Sequence, residues 1–278
     1  MKQSGWVEIA RDSLSSIEII RAHFTGHAYD PHWHDSYLVG VTEQGVQQFH
    51  SRRQQHRSSP GTVFLLEPGE LHDGDAIDAS GFTYRMLYID PLLMRQQLSN
   101  LFAEIPDSFE LRFASTLSAD RRLAWATFNA FQALRDNELK MVKESALQRL
   151  FSALTRHQHW HQAIIVPPQE KSLALQARDF MLDLRYDNIG LSDMAAALGV
   201  DRFRLSREFQ AQFGLPPHAW LIQLRLAEAR RLLAAGDPPA GVAARLGFAD
   251  QSHLGRWFKR AYRLTPAFYQ RHCTNLPD

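Results

Sequence analysis

The chain has 278 residues, 45% hydrophobic and 22% charged, a balance that excludes a disordered or fibrous chain and leaves room for two folded domains. Its net charge of +1 hides an asymmetry: residues 172–278 carry 14 Lys+Arg against 10 Asp+Glu, whereas the residues before them carry 17 against 20. A single cysteine, Cys273, excludes an intrachain disulfide, and without an apolar leader or a run of about 18 apolar residues a soluble cytoplasmic protein is expected, with no membrane partner.

In chain order, residues 17–24, 37–43, 46–50, 62–66 and 82–89 are rich in β-branched and aromatic residues and are expected as short strands. Between them stand turn-forming segments such as GHAYDPHWHD, SSPG and EPGELHDG, so residues 1–90 read as a small sandwich or barrel. From Pro91 the period changes to helical, through LLMRQQLSNLF and then over 118–136 and 138–157, where Leu139, Val142, Ala146, Leu150 and Leu154 form a stripe. Residues 91–160 are expected to transmit a signal and to form a homodimer. Pro167-Pro168 cannot continue a helix, and 161–171 is expected as a linker. Beyond it a helix is expected over 173–186, a short one capped by Ser192 and running through Leu198, and a longer one from Pro216-Pro217 through Ala235.

Residues 172–278 contain one pattern written twice. Leu198-Gly199 matches Leu246-Gly247; then Leu205, Arg207, Phe209, Phe213, Leu215, Pro217 and Trp220 match Leu254, Arg256, Phe258, Tyr262, Leu264, Pro266 and Tyr269 at a constant offset of 49. A helix that ends on Leu-Gly, turns and restarts is a helix-turn-helix, and two in tandem imply double-stranded DNA as the partner, read at two adjacent boxes. The first recognition helix, from about Arg202 to Gln212, turns Leu205, Phe209 and Phe213 inward and offers Arg202, Phe203, Arg204, Ser206 and Arg207 to the groove. Arginine supplies paired donors for guanine or phosphate, and an aromatic suits the thymine methyl. The second, from about Asp250 to Tyr262, offers Gln251, Ser252, His253, Arg256 and Lys259, with Gln251 suited to adenine and Arg256 and Lys259 to phosphate. Gly255 brings no side chain, so less base reading is expected there.

Residues 172–272, with LSDMAAALGV, LSREF, LRLAEARRLL and GFADQSHLGRWFKRAYRLTPAFYQ, resemble the DNA-binding domain of the arabinose-regulator (AraC/XylS) family of bacterial transcription factors. The resemblance implies base contacts from Phe203, Ser206, Arg207, Gln251, Ser252, Gly255 and Arg256, and a partnership with RNA polymerase if the protein activates. Arg263 departs from the expected pattern, standing where a left-handed helix end calls for Gly or Asn, as Gly214 does in the first repeat.

PHWHDSY followed by SPGTVFLLEPGELH resembles the cupin-like sensor domain that this family often carries. In metal cupins a His-x-His pair, a following Glu and a later His share one ion. Here His32, His34 and His72 are in place, but Tyr37, Leu38 and Val39 occupy the stretch where the Glu would stand. Three readings compete: a polar small-molecule pocket, structural histidines, and a three-imidazole metal site. The pocket reading leads, with His32, His34, Tyr37, Glu67, Glu70, His72 and Arg85 as candidates and a polar or zwitterionic metabolite as effector; no metal and no cofactor are expected. No phosphate-cradling loop, Gly-x-Ser-x-Gly elbow or Cys–His pairing supports an enzyme, so no catalytic residues are named. The expected fold class is α+β, a cupin-like β-barrel with linker helices over 1–160 followed by an all-α domain with two helix-turn-helix motifs. The alternatives are an effector-independent regulator whose barrel is structural, and a metal-dependent cupin enzyme fused to a DNA-binding tail.

Overall fold

The computed structural model describes residues 5–102, 109–162, 170–187 and 189–274. They fall into two compact units that divide between positions 163 and 164. Most of the expected linker at 161–171 lies outside the described residues, and residues 161–162 end a strand.

The first unit runs β1 (Gly5–Arg11), β2 (Glu18–Phe24), β3 (His27–His32), β4 (Tyr37–Gln44), β5 (Gln47–Ser51), β6 (Gln54–Ser58), β7 (Val63–Leu66), β8 (His72–Ala76) and β9 (Phe82–Ile89). There follow α1 (Pro91–Ser99), β10 (Phe109–Phe113), β11 (Leu117–Ser118), α2 (Arg121–Arg135), α3 (Lys140–Leu154) and β12 (Gln158–Gln162). The strands form a six-stranded sheet in the order β1-β2-β9-β4-β7-β11, a four-stranded sheet in the order β3-β8-β5-β6, and a separate β10-β12 ladder. Among the described residues the two larger sheets share no strand, so the expected barrel is two sheets rather than one closed ring.

Side chains alternate across a strand, and both faces of the six-stranded sheet are apolar. One set, Ile19, Val39, Val63, Leu65, Leu87 and Ile89, packs with Met94, Leu98, Leu123, Phe131, Leu150 and Leu154 of α1, α2 and α3. The other set meets the four-stranded sheet through an aromatic layer. Phe24 lies 5.0 Å from Tyr29 between ring centroids, Phe49 lies 6.4 Å from Phe64, and the Tyr29 and Tyr84 hydroxyls are 2.9 Å apart. A Cβ on Gly40 would sit 2.1 Å from the Phe64 ring, so this layer closes only over a glycine.

Several strands were not expected from sequence. β3 (HAYDPH) contains a proline and β8 (HDGDA) lacks strand-forming residues. β3 occupies the sheet edge, where a missing N–H is tolerated, and β8 is held between β3 and β5 by pairing that overrides local preference.

The first hairpin is tied to the helices by a buried ion pair. Lys143 Nζ on α3 donates to Asp12 Oδ1 at 2.7 Å and to Asn137 Oδ1 at 2.6 Å, with the Lys143 and Asp12 side chains 5% and 2% exposed. Burial would raise the Asp12 pKa, but hydrogen bonds from Lys143 and Ser15 outweigh it and hold the carboxyl below its usual value. Stability from a lowered carboxyl pKa is present above the unfolded value of about 4 and is lost as pH falls through the lower folded value.

The second unit is helical among its described residues: α4 (Leu173–Asp183), α5 (Leu191–Ala197), α6 (Arg202–Phe213), α7 (Pro217–Ala234), α8 (Pro239–Arg245), α9 (Gln251–Tyr262) and α10 (Pro266–Cys273). Ser192, expected as a cap, lies inside α5; Gly190 is the N-cap, and its N–H donates to Asp193 Oδ2 at 2.9 Å. Among the described residues no helix is long and apolar enough to cross a membrane.

Removing one partner of the buried pair should cost about 3–5 kcal/mol, so Lys143→Met is expected to lower the unfolding free energy by that amount in a urea titration. Asp12→Asn is expected to flatten the fall in stability below pH 4, measured as the difference from wild type across the acid range.

Candidate functional site

The second unit holds two copies of one device. α5 and α6 flank a turn at Gly199 (φ 67°), and α8 and α9 flank the equivalent turn at Gly247 (φ 68°), both in the left-handed region that glycine occupies without strain. Each second helix begins on an aspartate. Asp201 Oδ1 accepts the N–H groups of Phe203 and Arg204, each at 2.9 Å, and Asp250 Oδ1 accepts that of His253 at 2.6 Å. The inward stripe is buried in both: Leu205 and Phe209 in α6, Leu254, Phe258 and Tyr262 in α9.

The opposite faces stand in solvent. Arg202, Phe203, Arg204 and Arg207 of α6 and Gln251, Ser252, Arg256 and Lys259 of α9 are exposed, and Ser206 is half-buried. Phe203 is 71% exposed, with Arg202 stacked on its ring at 4.9 Å. An aromatic left in water on a capped, basic helix face is available for an apolar contact with a partner. Arg204 pairs with Glu208 along the helix at 2.8 Å. His253 stands apart from its neighbours: its Nε2 accepts the Trp257 indole N–H at 2.9 Å and its ring meets Phe248 edge-on, so it braces the helix start.

Two arginines of α7 lock the second copy in place, and the sequence reading passed over both. Arg225, 7% exposed, donates to the carbonyls of Arg185 (2.9 Å), Gly247 (3.0 Å) and Asp187 (2.7 Å), while burial lowers its pKa. Arg230 lies over the rings of Tyr262 at 5.2 Å and Tyr269 at 5.7 Å. Their signal was a charge inside the apolar stripe of Ile222, Leu226, Ala229 and Leu233, where a solvated arginine has no place.

In the first unit the seven candidate residues separate. His32, His34 and His72 come together, all buried, with centroids 4.8, 4.4 and 5.3 Å apart pairwise. His34 meets Tyr88 and His32 meets Tyr29, which places the cluster in the layer between the sheets. Burial lowers the His72 pKa. Tyr37 belongs to the helix-facing core and its hydroxyl donates to Leu111 O at 3.0 Å; burial, with Glu67 and Glu110 nearby, pushes the phenol up to about 12. Glu67 accepts the Phe113 N–H at 2.7 Å and pairs with Arg52 at 2.6 Å. Glu70 binds Ser51 and Arg52. Arg85 pairs with Glu43, bonds Gln132 and lies 4.2 Å over Phe128 of α2. Tyr37 and Glu67 share a cleft of about 360 Å³ with Arg95, Glu110 and Arg112, floored by Met94, Leu98 and Leu111.

Residues 14–166 match the family model of the AraC-like ligand binding domain, and residues 194–272 match a helix-turn-helix domain. The chain belongs to the AraC family of transcriptional regulators. It is similar to the regulator YbfI of Bacillus subtilis, 27% identical over 86% of each chain, and to the activator RhaS of Escherichia fergusonii, 26% identical over 86% of each. ToxT of Vibrio cholerae, solved with bound unsaturated fatty acid, has the same fold: TM-score 0.55 at 12% identity, covering all of this chain and 98% of that one. This AraC-family protein is therefore a DNA-binding transcriptional regulator with a ligand-binding domain, and not an enzyme.

In this AraC-family domain Arg225→Leu is expected to strand three carbonyls and lower stability by about 2–4 kcal/mol in chemical denaturation, while Arg225→Lys recovers only part of the loss.

Proposed function

We propose that the regulator reads an asymmetric operator of two boxes through α6 and α9, under control of a small polar metabolite held by the N-terminal unit. The observation that carries the first part is the pairing of two Asp-capped helices with matching buried stripes and basic outer faces. α7 spans 18 residues, roughly 27 Å along its axis, a scale suited to successive major-groove segments. Arg202, Phe203, Ser206 and Arg207 supply most of the base reading. Arg204 and Lys259 serve phosphate, Gln251, Ser252 and Arg256 complete the second box, and His253 positions its helix.

The cleft beside Tyr37 supports the effector class. Arg95 and Arg112 suit a carboxylate, Glu67 and Glu110 suit an amine, and the apolar floor suits a short side chain, which together describe an amino acid or related zwitterion. The carboxylates disfavour a ligand whose single polar group is an anionic head, such as the unsaturated fatty acid named for ToxT. Binding would shift the balance between arrangements of the protein. Homodimerisation through the helical pair is supported by Trp125, Leu139 and Met141, which stand exposed on or beside α2 and α3. The protein works in the cytoplasm, where an activating form would meet RNA polymerase.

Arg207→Ala is expected to cost about 1–3 kcal/mol of operator affinity and to relax specificity within one box, whereas Lys259→Ala weakens all sequences alike and reduces the salt slope by about one. Band-shift titrations against box variants at several salt concentrations measure both, and unchanged affinity in both variants overturns the helix assignment. For the effector, a thermal-shift screen of amino acids and related amines is expected to yield a stabilising compound that changes operator affinity and loses its effect in Arg95→Ala. A screen without such a compound, or a shift that survives the substitution, overturns the cleft assignment.

A further inference from the structure

We infer that His32, His34 and His72 form a binding site for one divalent transition-metal ion of zinc-like chemistry, with its fourth position open to water or an anionic oxygen donor. From sequence no metal is expected, and the Glu that follows the His-x-His pair in metal cupins is missing, with Tyr37, Leu38 and Val39 in that stretch. The geometry changes the weighing. One nitrogen from each ring lies within 4.8 Å of one nitrogen from each of the others, a spacing that three ligands around a single ion satisfy once Zn–N distances of about 2.0–2.1 Å draw them in.

The tautomers fit as well. His32 Nδ1 lies 2.8 Å from the Asp30 carbonyl oxygen and His72 Nδ1 lies 2.9 Å from that of Glu70. A carbonyl only accepts, so in each neutral ring Nδ1 carries the proton and Nε2 carries the lone pair. Holding a ligating imidazole by its far nitrogen is the usual outer support of a metal-bound histidine. The β3–β8 ladder is irregular between Tyr29 and His32, and beyond that break His32 stands directly opposite His72. Bulges of this kind re-aim side chains beside functional sites.

The surroundings specify what completes the shell. The carboxylates on either side of His72 in sequence are engaged elsewhere: Glu70 is bound to Ser51 and Arg52, and Asp73 to the backbone N–H and ring of His50. Three neutral imidazoles leave the full charge of the ion uncompensated in a buried layer, so an anionic oxygen donor is favoured at the open position. The residues bordering the cluster, Tyr29 and Tyr88, are aromatic with polar tips, and Tyr29 bonds Tyr84. An ion here would staple β3 to β8 between the two sheets, so it would stabilise the N-terminal unit whether or not an effector occupies the cleft beside Tyr37.

The test is a Zn²⁺ titration of the full-length protein against a competing chromophoric chelator, with elemental analysis of the loaded protein and a thermal melt with and without the metal. About one ion per chain is expected, with a raised melting temperature. Affinity should fall at least tenfold in His72→Gln and in His32→Gln, and stay at the wild-type value in His56→Gln, a histidine outside the cluster. Absence of stoichiometric binding, or binding that survives both cluster substitutions, overturns the site. If those variants do not fold, the Co²⁺-loaded wild type decides. Tetrahedral nitrogen-ligated absorption bands support the site, and the spectrum of aqueous Co²⁺ or a thiolate band from Cys273 overturns it.

Discussion

A sheet whose central strands are apolar on both faces must be covered twice, and the N-terminal unit is organised around that requirement. α1, α2 and α3 cover one face with aliphatic and aromatic side chains, and the four-stranded sheet covers the other through an aromatic layer. The six-stranded sheet thereby becomes a partition. The histidine cluster lies on one side of it, while Tyr37 and the cleft it lines lie on the other. Chemistry on the two sides is insulated except through the strands themselves, where His34 touches Tyr88 on β9 and Tyr37 pairs with Ile89 one residue further on.

The helical unit solves a different problem, which is to fix the orientation of two short helix pairs about the largely apolar buried face of α7. It does so with guanidinium groups. Arg225 bonds three carbonyls from two separate segments, and Arg230 fills the space between two tyrosines. Such contacts are directional where apolar packing is not, so they fix orientation as well as distance. The two copies end differently: Arg263 occupies the left-handed end of α9 (φ 60°) that Gly214 occupies at the end of α6.

The sequence made some of this plain and hid the rest for physical reasons. The two helix-turn-helix copies were legible because their periodicity, their leading aspartates and their Leu-Gly turns are local signals repeated in register. Helix ends came within a few residues, apart from Ser192, where a residue of the right type sat two positions too far along to cap. Strands β3, β6 and β8 escaped because their stability comes from neighbours distant in sequence. The proposed effector residues were grouped by chemical type, and strand alternation separates what type groups: Tyr37 and Arg85 face the helices while the three histidines face the other sheet. The histidines, two residues apart at one strand end and opposite a third by β-pairing, converge in one cluster, and Tyr37 and Glu67 meet separately at the cleft.

Lys143 and Asp12 are 131 positions apart in the chain. At a synthesis rate of about 5–20 residues per second, roughly 7–26 s pass between the emergence of the first hairpin and that of the ammonium group that neutralises its buried carboxylate. Until then the Asp12 carboxylate has only the local hydrogen bonds of Ser15 to offset the cost of its burial. The lysine arrives before any residue of the two DNA-binding repeats has been made, so the order of translation lets the N-terminal unit close on its own terms, with no basic helices yet present to compete for that aspartate.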